Sequence, residues 1–349
     1  MSVATCPEAA LWQHSGVVSR TPDTSLPIED LQNTEPRLSV SLSRAGVVRS
    51  PKSIRLRRGA MEHVLIAEIE CSVDLIASQK GAHMSRFEEV INEAIDQMLA
   101  GPVSTMEALA QLIAIEIAER QGATRSRVEI RASYPLVRRT PVSDIESQEM
   151  YGVLAIAAAG PAGSRTTIGA TAQGMNACPC AQGLRRDQAA AALGEDGFSA
   201  DEIERVLALV PVATHNQRAR GTLLVGATNA SNAIDPEVLI EIIEGSMSSE
   251  IYELMKRVDE RYVVDRAHRR PRFVEDSVRE MLGGVLLRLE NLPDDAFVSA
   301  TQVNFETIHT HDVEAGRTAT IGDLRTELTG VDVASEPLSL DAWLLAGSG

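Results

Sequence analysis

A chain of 349 residues supports one large domain or two medium ones. Its 44% hydrophobic and 23% charged residues are ordinary for a globular fold, and with aromatics at 3% the core has to be built from Val, Leu, Ile, Ala and Met. A formal net charge of −16 argues against non-specific nucleic-acid binding, which needs a basic face, but leaves room for a phosphorylated small molecule held by a local Arg/Lys cluster.

Residues 1–36 are polar, broken by Pro7, Pro22, Pro27 and Pro36, and read as a flexible leader without the order of a signal peptide. Strands are expected over 37–58 and 62–75, where Leu38, Val40 and Leu42, then Val64, Ile66, Ile69 and Val73, recur at strand spacing. Ser85 followed by Glu88 predicts a capping box opening a helix to about Leu99, with Phe87, Val90, Ile91, Ala94, Ile95 and Met98 on one face and Gly101-Pro102 as its stop. A second helix over 105–121 and strands over 126–137 and 149–158 complete a β-β-α-α-β-β unit, 37–160. A second unit, 161–330, repeats the order. It has strands at 166–175 and 220–228, helices at 235–257 and 272–289, and strands at 296–305 and 316–321. Short helices at 188–193 and 200–209 read as an insertion, 182–213, and the acidic tail 331–349 carries few structure signals. The expected fold class is α+β, two modules each with an antiparallel sheet layered by a helix pair. No run approaches the roughly 20 apolar residues that span a membrane. Four cysteines are no disulfide framework, which points to a reducing, cytoplasmic compartment.

Two of those cysteines stand together in Cys178-Pro179-Cys180, and His215 follows in a polar run 37 residues beyond Cys178. A Cys-x-Cys pair alone fits no zinc ribbon and is equally a pair of small buried hydrophobes, so a metal here needs His or carboxylate ligands from elsewhere. Glu306, His309 and His311 concentrate acid/base groups, although in a regular strand Glu306 and His309 face opposite sides and share a site only if the strand ends or bulges between them. Glu275 sits in a helix first turn, where acids are common for dipole reasons; a carboxylate there can also accept two hydrogen bonds from a guanine-type edge. Arg218, Arg220, Lys256, Arg257 and Arg86 are phosphate candidates. No Walker loop or GxGxxG is present.

Six segments lie in order between residues 81 and 311: Gly81-Ala82-His83-Met84-Ser85-Arg86-Phe87, Cys178-Pro179-Cys180, His215-Asn216-Gln217-Arg218, Lys256-Arg257-x-Asp259-Glu260, Phe273-Val274-Glu275-Asp276 and Glu306-x-x-His309-x-His311. Together they resemble the GTP cyclohydrolase type IB family, including its archaeal relatives that form a cyclic-phosphate pterin. The resemblance implies tandem tunnelling-fold modules and a homo-oligomer, dimer or tetramer, with active sites at subunit interfaces. It implies GTP and water as substrates and one divalent metal per site, Fe(II), Zn or Mn. Cys178, His215 and Glu260 are its implied ligands, with Glu250 and Glu253 nearby as alternatives to Glu260. Glu275 is its implied purine anchor, and Glu306 and His309 its catalytic pair. It leaves two products open, dihydroneopterin triphosphate and the 2′,3′-cyclic phosphate. The long stretch between Cys178 and His215 looks more like the archaeal-type members. A competing class is a non-catalytic metal- or pterin-binding protein on the same fold.

Overall fold

The computed structural model describes residues 30–58, 61–101, 104–227, 234–331 and 338–346. The expected leader lies mostly outside these residues, as does Cys6.

The first half is β1 (Leu42–Arg58), β2 (Met61–Leu75), α1 (Met84–Ala100), α2 (Met106–Gln121), β3 (Ser126–Arg139) and β4 (Glu146–Gly160). The second is β5 (Gly163–Ala177), α3 (Pro179–Glu195), α4 (Ala200–Leu209), β6 (Asn216–Ala227), α5 (Pro236–Ser246), β7 (Ser249–Glu250), α6 (Arg257–Arg269), α7 (Val274–Arg288), β8 (Phe297–Asn304) and β9 (Val313–Thr320). Two short helices follow, α8 (Ile321–Glu327) and α9 (Leu340–Leu345). The long strands form one antiparallel sheet in the order β1-β2-β3-β4-β5-β6-β8-β9, and β7 pairs with β5. The expected α+β class is therefore observed, with β4–β5 pairing joining the halves from Gly152↔Thr171 to Gly160↔Gly163.

Apolar periodicity explains the layering. Phe87, Val90, Ile91, Ala94 and Met98 of α1 are buried, as are Leu109, Ile113 and Ile117 of α2 and Leu239, Ile240 and Ile243 of α5. They pack on Ile54, Leu65, Ile69, Ile130 and Leu223 of the sheet in a core that spans both halves. Buried Cys71 belongs to it, and burial pushes its thiol up. Two glycines let α5 settle on β5 and β6. A Cβ at Gly174 would lie 2.4 Å from Met247 Sδ, and one at Gly221 would lie 2.5 Å from Ile243 Cγ2. Gly221→Ala is expected to overpack this contact and destabilise the protein by about 1–3 kcal/mol, read as a lower urea midpoint at unchanged slope.

Several boundaries differ from expectation. Ser85 is not the cap of α1; His83 occupies that position, and Glu88 instead accepts from Ser50 Oγ and Lys52 Nζ, both at 2.8 Å. The helix expected at 188–193 runs from Pro179, capped by Cys178; α3 buries no residue, so no apolar stripe marks its first turns. The helix expected over 235–257 ends at Ser246. Beyond it Ser249 and Glu250 pair with Met175 and Gly174, a tertiary contact that overrides the local periodicity. Helix α6 begins its own turn at Arg257 and is too polar to show a stripe. In the tail, Trp343 of α9 is buried, packs 5.4 Å from the Phe297 ring and donates to Asp295 O at 2.9 Å.

Candidate active site

The site grows from the end of the β5–β6 ladder. The last regular pair is Ala177↔Asn216, and Cys178 N donates to His215 O at 3.1 Å one step further on. Pro179 has no N–H to continue a ladder but suits the first position of a helix, so the chain turns into α3 here. Cys178 becomes the N-cap, with Sγ accepting from Ala181 N at 3.5 Å at the positive end of the helix dipole. Thr214 Oγ1 donates to Cys178 O at 3.1 Å and fixes the facing strand.

On the other side of β6, pairing with β8 runs out at Ala219↔Asn304 and is extended by Phe305 N donating to Arg218 O at 2.9 Å. Two residues beyond Asn304, Glu306 comes opposite Gln217. Gln217 Nε2 donates to Glu306 Oε1 at 2.8 Å, and Gln217 Oε1 lies 3.1 Å from His215 Nδ1. Glu306 Oε2 is 4.0 Å from the same Nδ1. The Glu306 side chain is 7% exposed and that of His215 14%. Beneath them Asn176 is fully buried, donating to Ser277 Oγ at 3.1 Å and Asn304 Oδ1 at 3.2 Å and accepting from Ser248 N at 3.0 Å. Arg272 N donates to Ala177 O at 3.0 Å, bringing the start of α7 to the same strand end.

One chain thus joins Cys178 to His215 through their backbones and His215 to Glu306 through the Gln217 amide. It places the other expected residues elsewhere. Glu260 is exposed on the first turn of α6, with Lys256 as its cap and Arg257 as its first residue. Glu275 is exposed on the first turn of α7, while its neighbour Asp276 accepts from Phe273 N at 3.1 Å. His309 lies in the exposed bend after β8, stacked on His311 with centroids 5.2 Å apart. Arg218 and Arg220 alternate with buried Gln217 and Ala219, so they occupy the opposite face of the sheet, and Arg220 lies 5.5 Å over the Phe305 ring. Arg86 donates to Arg120 O at 3.0 Å at the end of α2. Cys180 is exposed on α3. Among the described residues, no three or more His, Cys, Asp and Glu side chains converge as a metal-ligand group.

Two side chains that stand inside the quoted segments, with no role read for them there, make contacts at the site. One is Gln217, which shares its strand face with His215. The other is Asp259, fully buried, which accepts from Val142 N (3.0 Å), Ser143 N (2.9 Å), Ser143 Oγ (2.5 Å) and Lys256 N (2.9 Å). It pins the start of α6, and with it Glu260, to the β3–β4 turn of the first half. Burial opposes its ionisation, but the hydrogen bonds from Ser143, Lys256 and Val142 outweigh it and hold the carboxyl well below the usual carboxylate range. A depressed folded-state pKa contributes stability that is present above the unfolded value, about 4, and is lost as pH falls below it. Asp259→Asn is therefore expected to melt earlier at neutral pH and to lose less stability than wild type on acidification, checked by melting curves across pH.

The ends of β5, β6 and β8 thus carry a thiol, an imidazole and a carboxylate, the last two linked through Gln217. Comparison with known proteins is more specific. The family described as type I GTP cyclohydrolase folE2 matches residues 28–315, and the chain belongs to it. It is 41% identical over 307 residues to the GTP cyclohydrolase MptA of Methanococcus maripaludis strain C5, covering 86% of this chain and 97% of that one. It is 41% identical over 306 residues to that of Methanococcus aeolicus (86% and 99%) and 38% identical over 310 residues to that of Methanosarcina acetivorans (86% and 97%). The first half is β-β-α-α-β-β and the second keeps that plan with α3–α4 inserted between β5 and β6 and β7 and α6 between α5 and α7; the two halves in one sheet agree with the tandem tunnelling-fold modules that the resemblance implied. Among solved structures, a uricase from Arthrobacter globiformis matches at TM-score 0.46 and 8% identity, covering 80% of this chain and 93% of that one, and has no bearing on the site.

Proposed function

We propose that the protein opens the imidazole ring of GTP by hydrolysis at C8, releases formate and recloses the product to 7,8-dihydroneopterin triphosphate. The observation that carries this reading is the His215–Gln217–Glu306 chain beside Cys178, in a member of a GTP cyclohydrolase family.

A divalent ion, Fe(II), Zn or Mn, supplies Lewis acidity toward water at this site. The donor chemistry fits it. Cys178 offers a sulfur at a helix N-terminus, and His215 has one ring nitrogen committed to Gln217 and the other without a hydrogen-bond partner among the described residues. Glu260 completes the set in this reading. Glu275 accepts from the guanine N–H and exocyclic amino group and fixes the base. His309 moves protons at N7 and N9 and later at the ribose, with Glu306 holding His215 and its surroundings in place. Lys256, Arg257, Arg218, Arg220 and Arg86 are the cations offered to phosphate. The exposure of Glu260, Glu275 and His309 in one chain supports a homo-oligomer in which a second copy brings such groups to the Cys178–His215 pair.

A second product is favoured by one observation. Helices α3 and α4 occupy the stretch between Cys178 and His215, the feature that resembles archaeal-type members. In that case a ribose hydroxyl attacks the α-phosphate, diphosphate leaves, and the 2′,3′-cyclic phosphate forms. Mass spectrometry of the pterin from metal-loaded protein and GTP, with a diphosphate assay, separates the two. A triphosphate product without diphosphate release is expected; equimolar diphosphate establishes the cyclic product. No pterin at all from protein of verified metal content contradicts the enzymatic reading and leaves a binding protein.

His309→Ala is expected to cut turnover by about 10²–10⁴-fold, as loss of a general acid/base does, without lowering the melting temperature. Wild-type rates across pH would remove His309 from proton transfer.

A further inference from the structure

The hydrogen-bond pattern around Gln217 has a consequence at the level of single protons. His215 Nδ1 faces two oxygens, Gln217 Oε1 at 3.1 Å and Glu306 Oε2 at 4.0 Å. The amide cannot be turned round without cost. Its nitrogen donates to Glu306 Oε1 at 2.8 Å, and the reverse orientation would set the amide oxygen against a carboxylate oxygen. Gln217 is itself 5% exposed, so water has little access to replace either bond. Its backbone is held from both sides, by Asn176 of β5 through the strand register and by the extension of β8 across Arg218.

We propose that Gln217 is a positioning residue that fixes His215 as the Nδ1–H tautomer and so leaves the Nε2 lone pair as the imidazole's only available donor. Nδ1 with its proton points at acceptors on the strand side. Nε2, on the other side of the ring, has no hydrogen-bond partner among the described residues. The same amide holds Glu306 through its nitrogen, so one side chain orders the imidazole and the carboxylate together. Partners of this kind are worth about 10–100-fold in metal affinity where they have been removed from a ligating histidine. The tautomer itself is a property of the metal-free chain and does not depend on the proposed reaction; only the affinity effect rests on that reading.

The experiment uses the full-length, metal-free protein with ¹⁵N-labelled histidine, observed by long-range ¹H–¹⁵N correlation at about pH 8, where an ordinary imidazole is neutral. His215 is assigned by comparison with His215→Gln. The expected spectrum shows Nδ1 protonated and Nε2 as the pyridine-like nitrogen; a predominant Nε2–H form overturns the proposal. In Gln217→Met, which keeps length and removes both bonds, the fixed signature gives way to a tautomer mixture, and Zn²⁺ affinity by competition with a chelating dye falls about 10–100-fold at unchanged melting temperature. An unchanged tautomer or unchanged Zn²⁺ affinity in that variant equally overturns it. Should the variant fail to fold, the wild-type spectrum alone decides. Protein with the expected tautomer but no GTP turnover contradicts the proposed function and leaves this inference standing.

Discussion

Cys178→Ala is expected to lose bound metal and GTP turnover together. The sulfur is a soft donor at the sheet end, placed there by three separate constraints: the last rung of the β5–β6 ladder, the hydrogen bond from Thr214 Oγ1 to its carbonyl, and its role as N-cap of α3. Among the described residues the nearest other thiol is Cys180, two residues along α3 and exposed. Loss of a ligand should cost more than the about 10–100-fold in affinity that loss of an outer partner costs. The cap bond to Ala181 N is lost as well, which destabilises α3 by about 0.5–2 kcal/mol at most, a weaker effect because a thiol is a poor acceptor. Metal analysis and steady-state rates on the same sample check this. Full activity at full metal content removes Cys178 from the ligand set.

Glu275→Ala is expected to abolish GTP turnover while leaving metal content intact. Two charge-assisted hydrogen bonds to a guanine edge are worth about 1.5–3 kcal/mol each, so their loss corresponds to a fall on the order of 10²–10⁴-fold in kcat/KM. The fold should not suffer. Glu275 is exposed, and the capping contact of α7 belongs to Asp276, which accepts from Phe273 N. Turnover near wild type would return Glu275 to the ordinary role of an acid at a helix N-terminus. The contrast between the two variants, one losing metal and the other keeping it, separates the ion's site from the base's site.

Much of this was legible in the sequence, for identifiable reasons. The stripe of α1 reports burial directly, whereas in β2 the strand spacing marks the element but not its face: Ile69 and Val73 are buried, Val64 and Ile66 exposed. What escaped depends on contacts distant in sequence. Ser249 and Glu250 leave a helical pattern where β5 offers them a partner, and Trp343 anchors a short helix in the tail by packing on Phe297 of β8. The site followed the same division. Cys178, His215 and Glu306 announce themselves by residue type. Parity also predicted that Glu306 and His309 would not share a strand face, and the structure resolves this by ending β8 at Asn304, keeping Glu306 in register and carrying His309 into the bend. Gln217 and Asp259 stand in the quoted segments, but their contacts were not legible there. One acts through the register of β6 against β8, the other through a turn more than a hundred residues earlier, and neither relation is written in local spacing.

The central claim is hydrolysis at C8 of GTP, and [8-¹⁴C]GTP tests it most directly. Metal-loaded protein is expected to release the label as formate, one equivalent per pterin formed, and Cys178→Ala carried through the same loading to release none. Label retained in the purine, or formate appearing equally with the variant, would contradict the account.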